Sequence, residues 1–193
     1  MKHIITILLT FLAISLSAQE QEKEVTQFMG IPVDGTKSEM IQKLKEKGYN
    51  LHENPQLAES EWLQGEFNGR DVEIGVSTNK NKVYRVIILD KNFSNESEIK
   101  TRFNNLCYQF EHNSKYIGSI DQKIPDKEDI STQMGLYNKT YLAIFYQKSI
   151  NEQNNEDIFN RIVWFKIFEE NYGKYSIAIY YDNMYNQANG EDL

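Results

Sequence analysis

Apolar residues recur along this chain with two different periods. Met40, Ile41 and Leu44 fall on one helical stripe, and Ile99, Phe103, Leu106 and Phe110 on another. A capping box precedes each stripe: Thr36 with Glu39, and Asn95 with Glu98, so that a short side chain and a carboxylate satisfy orphan helix amides reciprocally. Gly48 closes the first helix. Elsewhere the period is two. Val72, Ile74 and Val76 alternate with Asp71, Glu73 and Gly75, and comparable alternation runs through 84–88, 141–146, 162–168 and 175–181. Asn68-Gly69 is a hairpin-turn dipeptide, and Asn171-Tyr172-Gly173-Lys174 marks a turn before the last strand.

These elements read as one plan written twice. Ser38-Glu39-Met40, Leu44 and Tyr49 align without a gap on Ser97-Glu98-Ile99, Phe103 and Tyr108. Gly65-Glu66-Phe67-Asn68 with Val72, Ile74 and Val76 matches Gly135-Leu136-Tyr137-Asn138 with Leu142, Ile144 and Tyr146. Asn81 to Ile88 then matches Asn160 to Ile167. The expected fold class is α+β: two tandem units, each a helix followed by an antiparallel meander, with the helices packed on one face of the sheet. The first helix-plus-three-strand unit covers 28–93 and the second, with four strands, 94–181. The longer loops of the second unit fall at 120–133 and 148–159.

The alternation assigns faces. Val72, Ile74 and Val76 go inward in the first unit, as do Tyr84, Val86 and Ile88, with Arg85 outward. Transfer by the repeat sends Leu142, Ile144 and Tyr146 inward and leaves Tyr141, Ala143 and Phe145 outside. It also places Ile162, Trp164, Lys166 and Phe168 outside, and alternation does the same for Ser176, Ala178 and Tyr180. The candidate binding surface is therefore Tyr141, Phe145, Trp164, Lys166, Phe168 and Tyr180, with Arg85 beside it. A contiguous apolar sheet face either binds a partner or packs under another part of the chain, and a slip of one residue exchanges the two faces.

The ends carry different signals. Lys2 and His3 precede an apolar run from Ile4 to Ile14, broken only by Thr6 and Thr10, and Ser15-Leu16-Ser17-Ala18 supplies small residues for cleavage. Residues 1–18 read as a signal peptide, 19–27 as a flexible leader and 182–193 as a polar tail that frays. The run is too short to span a hydrocarbon core of about 30 Å. A periplasmic or secreted location follows. No cysteine near the cleavage site offers a lipoprotein anchor, and no later stretch suggests a membrane span. Of 193 residues, 21 are Lys or Arg and 28 Asp or Glu, a net charge of −7, which argues against nucleic acid as a partner.

No catalytic motif, metal-ligand spacing or cofactor fingerprint stands in the chain. Cys107, the single cysteine, falls on a helical stripe and reads as a buried thiol; His112, five residues on, is poorly placed to pair with it. The oxygen-rich segment 151–157 lacks the spacing of a calcium loop. Glu66 and Glu73 are the carboxylates a glycan or cell-wall hydrolase would use, provided they meet across a cleft.

The duplicated helix-plus-meander plan resembles the β-lactamase-inhibitor-protein-like fold, over about residues 30–181, and small secreted bacterial envelope proteins of related architecture. The opening Phe28-Met29-Gly30-Ile31-Pro32-Val33-Asp34-Gly35-Thr36 is similar to those of secreted proteins from gut-type bacteria. In the inhibitor, the resemblance implies, an aromatic sheet face holds a partner protein. One cysteine cannot reproduce the inhibitor's disulfides, and inhibition of a β-lactamase is not carried over. The function expected is a non-catalytic binding module that contacts a protein, peptide or glycan through its outer sheet face. The alternatives are a carboxylate-dependent hydrolase and a self-associating envelope protein.

Overall fold

A computed structural model describes residues 23–52, 61–118, 122–149, 157–171 and 173–188. The expected signal peptide, the segment 151–156 and the end of the tail, 189–193, lie outside the described residues. Among those described, no helix is long and apolar enough to cross a membrane.

The fold is α+β. In chain order the elements are β1 (Gln27–Phe28), β2 (Ile31–Pro32), α1 (Lys37–Glu46), β3 (Asn50–Leu51), β4 (Leu63–Phe67), β5 (Arg70–Asn79), β6 (Lys82–Asp90) and α2 (Glu96–Glu111). After them come β7 (Tyr116–Gly118), α3 (Ile130–Tyr137), β8 (Leu142–Gln147), β9 (Arg161–Asn171) and β10 (Lys174–Asn183). β1 and β2 form a small hairpin; the other strands make one antiparallel sheet in the order β3-β4-β5-β6-β10-β9-β8-β7. Two consecutive runs of four strands thus meet at β6 and β10, each run starting at an edge and following a helix.

Local chemistry sets the boundaries. Both capping boxes form: Thr36 Oγ1 accepts the Glu39 amide, Asn95 Oδ1 accepts the Glu98 amide, and each glutamate returns a carboxylate to its cap. Asn68 and Gly69 have φ of 52° and 69°, as a two-residue hairpin turn between β4 and β5 requires, and Lys80 and Asn81 turn β5 into β6 with φ of 47° and 64°.

The core lies between the helices and one sheet face. Met40, Ile41 and Leu44 of α1 and Ile99, Phe103, Leu106, Cys107 and Phe110 of α2 are all buried. Beneath them are Val72, Ile74 and Val76 of β5, Val86 and Ile88 of β6, Val163, Phe165 and Ile167 of β9, and Ile177 and Ile179 of β10. Cys107 is fully buried, and burial pushes its thiol up to about 12. Alkylation of the folded protein by iodoacetamide at pH 8 should therefore be negligible and should become rapid in denaturant, as followed by mass spectrometry.

Four expectations are corrected. Gly135-Leu136-Tyr137-Asn138 is no strand: it closes α3, with Asn138 as a left-handed cap at φ 53°. The matched strings slipped by one strand, since Ile74 pairs with Ile88 as Phe165 pairs with Ile179, and Ile88 faces Ile179 where the runs meet. β5 thus corresponds to β9, and β6 to β10. Residues 23–27 are no free leader: Thr26 is buried and donates to Asp182 O, and Gln27 exchanges two hydrogen bonds with the Gln147 amide at 2.6–2.7 Å. Nor does the tail fray at once. Asn183 is fully buried and donates to Val33 O at 2.8 Å, and Asn186 holds Asp34 and Val83 O.

Candidate binding face

Strand pairing lays the outer side chains in rows. One row runs Gly75, Ile87, Tyr180, Trp164, Ile144 across five strands. Beside it runs Glu73, Leu89, Ala178, Lys166, Leu142, and on the other flank Ser77, Arg85, Asp182, Ile162, Tyr146, Ile117. An antiparallel sheet covered by helices on one side ordinarily shows polar residues to water on the other. Here the middle row carries no charged residue from β6 to β8, and the flanking rows add Leu89, Ala178 and Leu142 on one side and Ile162 and Tyr146 on the other, interrupted by Lys166 and by the Arg85–Asp182 pair. Most of these side chains are half-buried against one another, while Leu142 is 40% exposed and Ile117 45%.

Gly75 explains one end. A Cβ there would meet the Trp62 ring at 2.9 Å, so the missing side chain lets that ring pack against β5. At the other end the exposed Phe159 meets the Tyr146 ring edge-on, with centroids 5.4 Å apart.

The centre is a tightly joined cluster. The Trp164 and Tyr180 rings stack 3.9 Å apart and 12° from parallel. Arg85 lies 5.1 Å from the Tyr180 centroid and 5.4 Å from that of Trp164. Its guanidinium forks onto Asp182, with Nε and Nη2 each donating at 2.7 Å, and Trp164 Nε1 donates to the same carboxylate at 2.9 Å. Three donors satisfy a carboxylate that is almost wholly buried on an otherwise open face. The fork to Asp182 raises the Arg85 pKa further, against its own desolvation, and burial raises that of Tyr180.

Stacking at 3.9 Å between directly opposed residues fixes the ring orientation. Neighbouring strands lie about 4.8 Å apart, and rings lying flat on the sheet would be side by side in one plane. The line joining these two runs from strand to strand within the sheet, so both rings stand on edge. Their inner faces are taken up by each other, and Arg85, nearly equidistant from the two centroids, stands at their edges.

Of the residues expected on this face, Trp164, Lys166, Phe168, Tyr180 and Arg85 are there. Tyr141 and Phe145 are not. Both are buried on the helix side, Phe145 stacked on Phe110 at 4.8 Å and Tyr141 donating to Glu128 at 2.8 Å. Leu142, Ile144 and Tyr146 take their place outside, so the two faces of β8 are exchanged. Both faces of that strand are apolar, and its assignment came by transfer from β5, to which it does not correspond. Arg85 and Lys166, the two cations of the face, are placed differently. Arg85 is committed to Asp182, whereas Lys166 lies 4.1 Å from the Phe168 ring centroid. Ile87, Leu89 and Trp62 belong to the surface and were missed, though the alternation around Arg85 signals the first two.

The other candidate groups lie apart. Glu73 faces His52 at 3.1 Å on the outer side of β5, and Glu66 is exposed on β4. His112 caps α2, with Nδ1 2.8 Å from Tyr108 O, and Asp129 caps α3. Among the described residues no three His, Cys, Asp or Glu side chains gather as a metal site would need. No protein-family model matches the chain, and no curated protein or solved structure matches it.

Proposed function

We propose that this chain is an exported binding module that docks a second protein against the outer face of its sheet. The observation that carries the reading is the unbroken apolar centre of that face, Ile87-Tyr180-Trp164-Ile144 with Leu89, Ile162 and Leu142 beside it. An apolar patch crossing four strands is the ordinary mark of a contact surface. Orientation of the rings favours protein over glycan. A sugar stacks on an open ring face, whereas an upright Trp–Tyr ridge seats in the groove of an apolar surface. Lys166 within the patch offers a partner's carboxylate its counter-charge, and the Arg85–Asp182 pair, its carboxylate buried, holds the ridge in place.

A photo-crosslinking amino acid at Leu142 is expected to trap a discrete protein adduct in extracts of cells that make this chain. The same group at Tyr108, 55% exposed on α2, is expected to trap none. Trp164→Asp should abolish the adduct. An adduct of twice the chain's mass identifies the partner as a second copy, and any other mass a different protein. Equal trapping at both positions, or none at Leu142, would overturn the reading.

A further inference from the structure

Three arginines, Arg85, Arg102 and Arg161, have their charge withdrawn from water beside an acid, and one of them lacks a carboxylate in hydrogen-bond contact. Arg85 forks onto Asp182 at 2.7 Å, and Arg102 onto Asp90 at 3.3 Å. Arg161, only 2% exposed, is the most buried of the three. Its Nε donates to Gln147 O at 3.0 Å and its Nη1 to Glu24 O at 3.4 Å. The Glu24 carboxylate stands off at 3.9 Å and accepts the Ser149 hydroxyl instead. Nη2 of Arg161 is buried with no hydrogen-bond partner among the described residues. A buried guanidinium without a contacting carboxylate is costly, and a fold that keeps one generally uses it.

Arg161 lines a cavity of about 930 Å³ between the β1–β2 hairpin, the turn from α2 into β7, and the facing ends of β8 and β9. Two other concavities, along α2, measure about 370 and 440 Å³ and have polar walls. The large one differs in chemistry as well as size. Val25, Met29, Phe67 and Tyr181 give it an apolar wall, and Lys115 and Lys148 join Arg161 to make three cations against the single carboxylate of Glu24 among the described lining residues. A positive, partly greasy hollow in a chain of net charge −7 runs against the balance of the rest of the molecule. Its volume is in the range that holds a small ligand.

We propose that this cavity binds a small carboxylate with an apolar body, its charge paired with Arg161 and the two lysines and its hydrocarbon laid against Phe67 and Tyr181. The site is separate from the outer sheet face, and its fate does not depend on that reading. Decanoate is a suitable probe, titrated into the full-length protein by calorimetry with decanol, acetate and inorganic phosphate as comparators. Decanoate should bind saturably at one site per chain, and each comparator at least about tenfold more weakly, since a hydrogen-bonded charge and an apolar body each contribute that much. Decanol as tight as decanoate would reduce the site to a greasy hollow, and acetate or phosphate as tight would reduce it to an unspecific cationic patch; either overturns the proposal, as does no saturable binding.

Arg161→Gln should weaken decanoate binding at least about tenfold while leaving decanol unchanged. Arg161 also ties Gln147 to Glu24, so its loss is checked against Lys115→Glu and Lys148→Glu, both at exposed positions where folding is not at stake. Together these two should weaken decanoate severalfold and spare decanol. Decanoate affinity unchanged in the lysine double variant would refute the assignment whether or not Arg161→Gln folds.

Discussion

Phe165→Ala should lower the free energy of unfolding by about 3–5 kcal/mol. The ring is fully buried where α2 crosses β8 and β9, edge-on to Phe103 at 5.1 Å and stacked with Phe110 and Phe145 at 5.8 and 6.0 Å. Truncation removes the member common to this cluster and leaves a cavity that three large rings cannot readily fill. Phe168→Ala is the companion measurement. It deletes a similar side chain on the same strand from the outer face, where the ring is half-buried, and should cost about 1 kcal/mol. Urea titrations of the two variants compare the faces directly. Similar losses would mean that both sides of β9 are core.

The next largest effect is expected at the joint between α2 and β6. Arg102 and Asp90 are 7% and 5% exposed, and the guanidinium meets the carboxylate at 3.3 Å through two nitrogens. Asp90→Ala strands a buried cation and should destabilise by about 3–5 kcal/mol, whereas replacing both partners together, Arg102→Met with Asp90→Leu, should recover most of that loss. A double-mutant cycle in urea measures the difference. If the single and double variants unfold alike, the pair is solvated and does not join helix to sheet.

Much of this architecture is written locally. Thr36 with Glu39 and Asn95 with Glu98 announce both large helices, because a cap needs only neighbours three residues apart. Asn68-Gly69 announces its hairpin because two successive positive φ angles demand such residues. The faces of β10 follow from alternation, with Ser176 on the polar side; those of β9 were reached by transfer through a repeat that slipped by one strand, although Lys166 marks its outer side locally. β8 carries no such mark. Tyr141, Ala143 and Phe145 are as apolar as Leu142, Ile144 and Tyr146, and only pairing with β9 decides which set meets α2. Helix α3 escaped notice because Ile130 is its single buried residue, so no stripe forms. Trp62 over Gly75, the Arg85–Asp182 fork and Arg161 between Gln147 and Glu24 bring together residues far apart in the chain. Their types are visible in the sequence, but their meeting depends on the order of strands in the sheet.

Oxidative footprinting by hydroxyl radicals tests the outer face most directly, on the full chain alone and again with the protein trapped at Leu142. In the free chain, Leu142, Ile144 and Trp164 should be modified while Tyr141, Phe145 and Phe165 stay protected. Addition of the partner should shield the first group and leave exposed residues of α2, such as Tyr108, unchanged. Modification of Tyr141 and Phe145 in the free chain, or a partner that shields Tyr108 and leaves Trp164 open, would contradict the account.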